Sequence, residues 1–291
     1  MLERERVMRI YRTHKGLARQ EGGELLLLDL PHSDVKALLE DDVSLASSAR
    51  VTERLPLAGT EVLSPVAKPG QIVIAGANYR DHVIEAGMPI PEAALFTLVP
   101  GELVTDGLVV GPSAPLVLPA EAPDQVDYEA EVAVIVGKGG RNIAVADGWD
   151  HVGGLTVAND VSARDVQLKG FTNGIITDND QVRKGKIFPS FKTLGPALVT
   201  VDELELPLDL AVTTRVNGEL RQNSRTSEML FPIPEVLATV SAEVRLEPGD
   251  IVLTGTPAGA AVGSGRYLRA GELVEIEIEG LGRIRSEVVR G

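Results

Sequence analysis

Glu129 and Glu131 stand two apart in the run Val126 to Val136 (VDYEAEVAVIV), whose composition predicts a β-strand. Side chains two apart leave the same face of a strand, so both carboxylates point one way. Five apolar residues follow Glu131, which favours burial. Carboxylates that close to a core are costly unless a cation meets them. Asp160 closes a second expected strand, Gly153 to Ala158, just before a helix start. Two Glu and one Asp make an all-oxygen set suited to Mg²⁺ or Mn²⁺, which keep positions open for water or substrate oxygens. The same Glu-x-Glu spacing also fits a solvated strand face. The tail shows that pattern, with Glu275, Glu277 and Glu279 alternating with Val274, Ile276 and Ile278.

His82 and Glu85 are three apart, so one helical turn would place an imidazole beside a carboxylate, as in a base with its orienting partner. Such pairs are also common on exposed helices. Of the four His, His14 and His32 sit in the leader and His151 lies in a turn-like region, so only His82 has polar company on both sides. Arg164 and Gln167 follow Asp160 by four and seven residues, and on one helix they face any metal held at its start. Arginine is the natural fork for a substrate carboxylate; the alternative is a surface salt bridge with Asp165 or Glu228. Lys184 and Lys186 fit either a solvated turn or an anion ligand.

The chain around these residues has 291 amino acids, 44% of them hydrophobic and 3% aromatic, with 42 acidic against 28 basic side chains and no cysteine. A formal charge of -14 repels phosphate backbones, and no basic block offsets it, so a nucleic-acid partner is not expected. Without cysteine there are no disulfides, thiolate-zinc sites, iron-sulfur clusters or cysteine nucleophiles. No stretch reaches the apolar length of a membrane span and the N-terminus lacks a signal-peptide core, so a cytoplasmic protein without membrane contact is the expectation.

Residues 1–65 read as a small leader domain: strands Val7 to Tyr11 and Glu24 to Leu30 around the Gly22-Gly23 turn, then a short helix capped by Ser33. Residues 66–291 form the larger unit. There Gln71 to Ala75 is a buried strand, Gly76 to His82 a polar loop, and seven prolines between Pro89 and Pro123 forbid long helices. Ser162 and Asp165 resemble a capping box, Asn217-Gly218 signals a type I′ hairpin, and Pro234 to Leu246 an amphipathic helix. Many short strands with few helices argue for an α+β, mainly β fold.

At these residues the chain resembles the fumarylacetoacetate hydrolase family. The matching stretches are GANYRDHVIEAG (76–87), DYEAEVAVIVGK (127–138), NDVSARDVQ (159–167), GKIFPSFKTLGP (185–196), VNGELRQNS (216–224), PGDIVLTGTPAG (248–259) and GELVEIEIEGLG (271–282). They follow family order over about residues 70–285. The resemblance implies a mixed β-roll catalytic domain behind a small N-terminal α/β domain, in homodimers. It implies Mg²⁺ or Mn²⁺ held by Glu129, Glu131 and Asp160, and a His82–Glu85 dyad that activates water. Arg164, Gln167 and Lys186 match substrate-contacting positions, with Lys186 also a catalytic candidate, and Thr256 lies in the matching Thr-Gly-Thr-Pro loop. One departure stands out: family members commonly read Leu-Phe-x-Lys-Pro where this chain has Leu95-Phe-Thr-Leu-Val-Pro100, with Val99 in the lysine's place.

The implied chemistry is hydrolysis of a carbon-carbon bond in an acylpyruvate-like 2,4-dioxo acid. The acid's carboxylate and 2-oxo oxygens would meet the cation, and His82 would activate the attacking water. The scaffold also resembles isomerases, decarboxylases and hydratases acting on 2-oxo dioic acids, which share the enolate chemistry. A non-catalytic binder of oxo acids is a third reading, and the intact set of five site residues argues against it.

Overall fold

The computed structural model describes residues 8–291. Val7, the first residue of one expected strand, lies outside them; that strand is observed as Arg9–Thr13. Eleven strands form a central sheet. From one edge the order is Val51–Pro56, Glu24–Leu28, Gly16–Glu21, Arg9–Thr13, Lys192–Val199, Val152–Asp160, Ala130–Val136, Ile251–Leu253, Gln71–Gly76 and Leu95–Pro100, with Val109–Val110 pairing aside on Lys192–Val199. Most neighbours are antiparallel, but Ile251–Leu253 runs parallel to Gln71–Gly76. The leader's strands thus continue the sheet through Arg9↔Val199.

A second sheet of five strands, Glu219–Arg225, Ala211–Val216, Leu273–Ile278, Gly282–Arg290 and Leu116–Leu118, packs against the middle of the first. The alternation read in the tail is real: Val274, Ile276 and Ile278 are buried, and Glu277 is exposed. With both faces covered at its centre, the central sheet needs apolar residues on both sides of each strand. Ala130–Val136 meets that demand, since every residue in it is buried. The result is an α+β, mainly β fold, as expected.

Several local expectations shift. The leader helix spans Val35–Asp41 and is capped by Asp34, not Ser33, because the Asp34 carboxylate accepts from the Ala37 amide at 3.0 Å. Part of the polar segment 76–82 is helical, as the Arg80–Glu85 helix. The capping box at Ser162 does not form: Ser162–Ala163 is a strand paired with Val126–Asp127, and the Arg164–Gln167 helix has no side-chain cap. The amphipathic helix is Ile233–Glu243 and buries Val236, Leu237 and Val240; the chain leaves it at Val244 so that Leu246 can pair with Gly140. Asn217 and Gly218 have φ of 51° and 80°, the two positive angles a type I′ turn requires.

Leu155 sits fully buried in the middle of Val152–Asp160, the strand that ends at the site. Leu155→Ala should cost about 2–5 kcal/mol in denaturant unfolding, through lost burial and the cavity left behind. A loss under about 1 kcal/mol would show that this strand is not part of a tightly packed core.

Candidate metal centre and substrate cavity

The expected strand Val126 to Val136 is broken. Val126–Asp127 pairs with Ser162–Ala163, whereas Ala130–Val136 pairs with Val152–Asp160, and the change of partner falls at Tyr128-Glu129. The break is pinned from both sides: the Glu129 amide donates to Asn159 Oδ1 at 3.0 Å, and the Asp160 amide donates to the Glu129 carbonyl at 3.0 Å. With Ala130 opposite Asn159, Glu129 lies across from Asp160. Both carboxylates therefore meet that of Glu131. One oxygen from each of the three lies within 4.8 Å of the others, and all three residues are buried.

The loop after Ile251–Leu253 closes one side of the cluster. Gly255 has φ of 91° and donates its amide to Glu131 Oε2 at 2.7 Å; a Cβ there would lie 2.9 Å from Asn78 Cβ. That backbone conformation and that close approach both require glycine. Thr256 Oγ1 donates to the Ala130 carbonyl at 2.9 Å and accepts from Gln222 Nε2 at 2.9 Å, so its hydroxyl serves the strand and the loop at the cavity edge.

Cations surround the rest. Arg164 is buried, with Nε donating to Asp127 Oδ2 at 2.8 Å, Nη2 paired with Glu129, and Nη1 donating to Gln167 Oε1 at 2.7 Å. Asp165 and Glu228 are not its partners, and a surface salt bridge is therefore the wrong description. Lys186 Nζ bridges Glu129 and Asp160, while Lys184 is exposed. Lys192, only 1% exposed, holds the other Asp160 oxygen at 2.7 Å. Asp127 is fully buried and accepts from the amides of Ala261 and Val262 at 2.6 and 3.0 Å as well as from Arg164. Sequence reasoning missed Asp127 and Lys192. Asp127 continues the alternation of Glu129 and Glu131 by one step, a pattern the sequence carries, whereas no local pattern marks Lys192 as turned inward.

Burial opposes every one of these charges, and the neighbours decide the outcome. Burial would raise the Glu129 pKa, but Arg164 and Lys186 outweigh it and hold it below the ordinary glutamate value. For Lys186, Asp160 and Glu129 overcome burial and keep it a firm ammonium. Burial wins at three others: it raises the Asp127 carboxyl, lowers the Lys192 ammonium, and also prevails at Glu131. Burial, then the charges of Asp160 and Glu129, push the Glu131 pKa well above the usual value, and among the described residues Glu131 forms no ion pair. With every carboxylate ionised, Asp127, Glu129, Glu131 and Asp160 exceed Arg164, Lys186 and Lys192 by one negative charge. A divalent cation fits that deficit and an all-oxygen donor set. It would leave one positive charge, the sign that attracts an oxo-acid anion.

His82 lies on the Arg80–Glu85 helix and lines the same cavity of about 100 Å³. Burial pushes its pKa down to about 4, so the imidazole is neutral near pH 7. Its Nδ1 stands 4.0 Å from Glu85 Oε2, beyond hydrogen-bond reach, while the Glu85 carboxylate accepts from the Gly259 amide at 2.9 Å. His82, Arg164, Gln167, Lys186 and Thr256 thus line one cavity with the three carboxylates, whereas Glu85 does not line it and ties its helix to the Gly259 amide. The other histidines are engaged elsewhere: His14 near Glu61, His32 near Asp41, and His151 at the Lys138 carbonyl. No helix among the described residues is long and apolar enough to cross a membrane.

Comparison with known proteins adds three findings. The family model "Fumarylacetoacetate (FAA) hydrolase C-terminal" matches residues 71–289. A bovine (Bos taurus) relative named oxaloacetate tautomerase FAHD2B, mitochondrial, is 40% identical over 288 residues, which is 95% of this chain and 87% of the relative. Among solved structures, a 2-hydroxyhepta-2,4-diene-1,7-dioate isomerase from Mycobacterium marinum matches with a TM-score of 0.73 at 30% identity, covering 98% of each chain. A maleylpyruvate hydrolase from Sphingobium, solved with manganese(II) and pyruvate, matches with a TM-score of 0.76 at 29% identity, covering 98% of this chain and all of the other.

The charge argument makes a direct prediction for Glu131→Gln. In the wild type, Mn²⁺ at about a hundred times its Kd should add about 2.7 kcal/mol to stability. The variant should lose that increment in calorimetry while its metal-free form melts no lower than metal-free wild type, because burial and the neighbouring acids already disfavour the charged form of Glu131 there. Equal stabilisation of both proteins by Mn²⁺ would remove Glu131 from the ligand set.

Proposed function

Because the chain belongs to the fumarylacetoacetate hydrolase family, we propose that it is a metal-dependent tautomerase that interconverts the keto and enol forms of a short 2-oxo dioic acid, with oxaloacetate the leading substrate. The observation that carries this reading is the neutral, buried His82 facing the carboxylate cluster without donating a hydrogen bond to Glu85. A single proton shift needs one neutral base. Hydrolysis needs that base to orient and deprotonate a water, and Glu85 is committed to the Gly259 amide instead. The activities named for the bovine relative and the mycobacterial isomerase point the same way, since both describe movement of a double bond or proton. Carbon-carbon hydrolysis of an acylpyruvate is the second reading, favoured by the Sphingobium neighbour.

Glu129, Glu131 and Asp160 would hold Mg²⁺ or Mn²⁺. When bound, the ion polarises the 2-oxo group and steadies negative charge that develops there. Arg164 and Lys186, both kept cationic by their carboxylate neighbours, attract and orient the acid's carboxylate, and the Gln167 amide lies beside Arg164. His82 accepts the proton from C3 of the keto form, and the imidazolium so formed delivers a proton to the 2-oxo oxygen as the enol is completed, which returns the base to its neutral form.

Ultraviolet absorbance of the enol follows the reaction directly. With Mg²⁺ or Mn²⁺ the protein should speed the decay of enol-oxaloacetate, and a chelator should abolish the effect; faster carbon-carbon cleavage of an acylpyruvate than enol decay would support the hydrolase instead. His82→Gln should lower kcat about 10²–10⁴-fold, the usual worth of a general base. Glu85→Gln should cost under about tenfold. Equal, large losses from both substitutions would establish a water-activating dyad and overturn the one-base reading.

A further inference from the structure

The cavity has two unlike walls. One carries the carboxylates, Arg164, Lys186 and His82; the other is built from Met88, Leu95, Phe96, Phe171, Ile176 and Val182. The apolar side comes from three separate pieces. Leu95 and Phe96 belong to the edge strand Leu95–Pro100, Phe171 and Ile176 to the small hairpin Phe171–Thr172/Ile175–Ile176, and Val182 to the Asn179–Lys184 helix. The hairpin turn at Gly174 approaches Met88, with Met88 Cγ 3.7 Å from where a Cβ would stand, so these pieces form one continuous surface.

No cation serves that surface. Arg164 and Lys186 are the cationic side chains lining the cavity, and carboxylates hold both. Arg183, on the helix that supplies Val182, turns its guanidinium to the Leu98 carbonyl at 2.6 Å and Asp180 at 2.7 Å. Val99 is fully buried, two residues along the strand from the lining residue Thr97, and offers no charge. A carboxylate pressed on this wall would lose water and gain no partner, whereas an apolar group would gain burial.

We propose that the site also takes 2-oxo acids whose C3 bears an apolar group, namely arylpyruvates and branched-chain 2-oxo acids, and interconverts their keto and enol forms. This rests on the tautomerase reading. The charged wall holds the carboxylate and 2-oxo end, and the apolar wall receives the substituent. The proton leaves C3 to His82, and the resulting imidazolium gives a proton to the 2-oxo oxygen; no other bond forms or breaks, and no further reactant is required.

The test is exchange of C3 hydrogen for deuterium by the Mg²⁺-loaded protein, followed by proton NMR. The substrates are pyruvate, 2-oxobutanoate, 4-methyl-2-oxopentanoate, phenylpyruvate and oxaloacetate, each rate divided by its uncatalysed exchange. Normalised kcat/KM should rise about threefold to fourfold for each apolar carbon buried, starting from pyruvate. Phe171→Asp and Ile176→Asp, both in the small hairpin, should lower the phenylpyruvate-to-pyruvate ratio at least tenfold. A flat or falling series with active oxaloacetate exchange overturns the apolar subsite and leaves the tautomerase reading standing. No exchange with any substrate overturns both.

Discussion

Glu131 is a carboxylate taken out of water with no cation of its own, and the site is organised around that debt. Its neighbours Glu129 and Asp160 carry their own counter-charges in Arg164, Lys186 and Lys192, yet they stand close enough to raise the cost of ionising Glu131 further. A structure can tolerate such a group in two ways: by keeping it protonated, or by binding a cation that all three carboxylates share. The second answer explains why three acids from two strands converge on one point, where packing alone would have chosen apolar residues at the centre of a sheet.

The scaffold's task is to hold this unfavourable cluster still. The ladder between Ala130–Val136 and Val152–Asp160 fixes the facing carboxylates, and the Gly255 amide fixes the third. Asp127 ties the guanidinium of Arg164 to the amides of Ala261 and Val262. Next to those amides, Gly263 lies against the Glu85 carboxyl, with Cδ 2.4 Å from where a Cβ would stand. The His82 helix and the Arg164 guanidinium are thereby held on one shared loop. Gln222 adds a cross-brace from the second sheet, accepting from the Ala130 amide at 3.1 Å and reaching Thr256. The carboxylate cluster, the His82 imidazole and the Arg164 guanidinium are thus set by rigid elements, as a pre-organised electrostatic site demands.

Much of this was legible in the sequence, for identifiable reasons. The carboxylates could be found because Glu131 precedes an unbroken apolar run, which no solvated strand face shows. The mainly β fold followed from short strands and frequent turn residues. What the sequence concealed was long-range pairing. Nothing local says that the strand through Glu129 changes partners at Tyr128, or that Lys192 turns inward to Asp160. The helix at Arg80 was masked by polar, turn-like composition, because its stability comes from burying His82 and Val83 and from the Asn78 contacts just before it, not from propensity. Ser33 and Asp34 are both good caps, and only the geometry chooses between them.

The central claim is that one divalent cation settles the charge of Glu129, Glu131 and Asp160. Diffraction at the manganese edge from a crystal soaked in Mn²⁺ and oxalate tests it most directly. The account predicts one anomalous peak per chain, about 2.0–2.2 Å from an oxygen of each of the three residues, with oxalate on its open side facing Arg164. A peak placed elsewhere, or none while Lys186 still bridges Glu129 and Asp160, would contradict it.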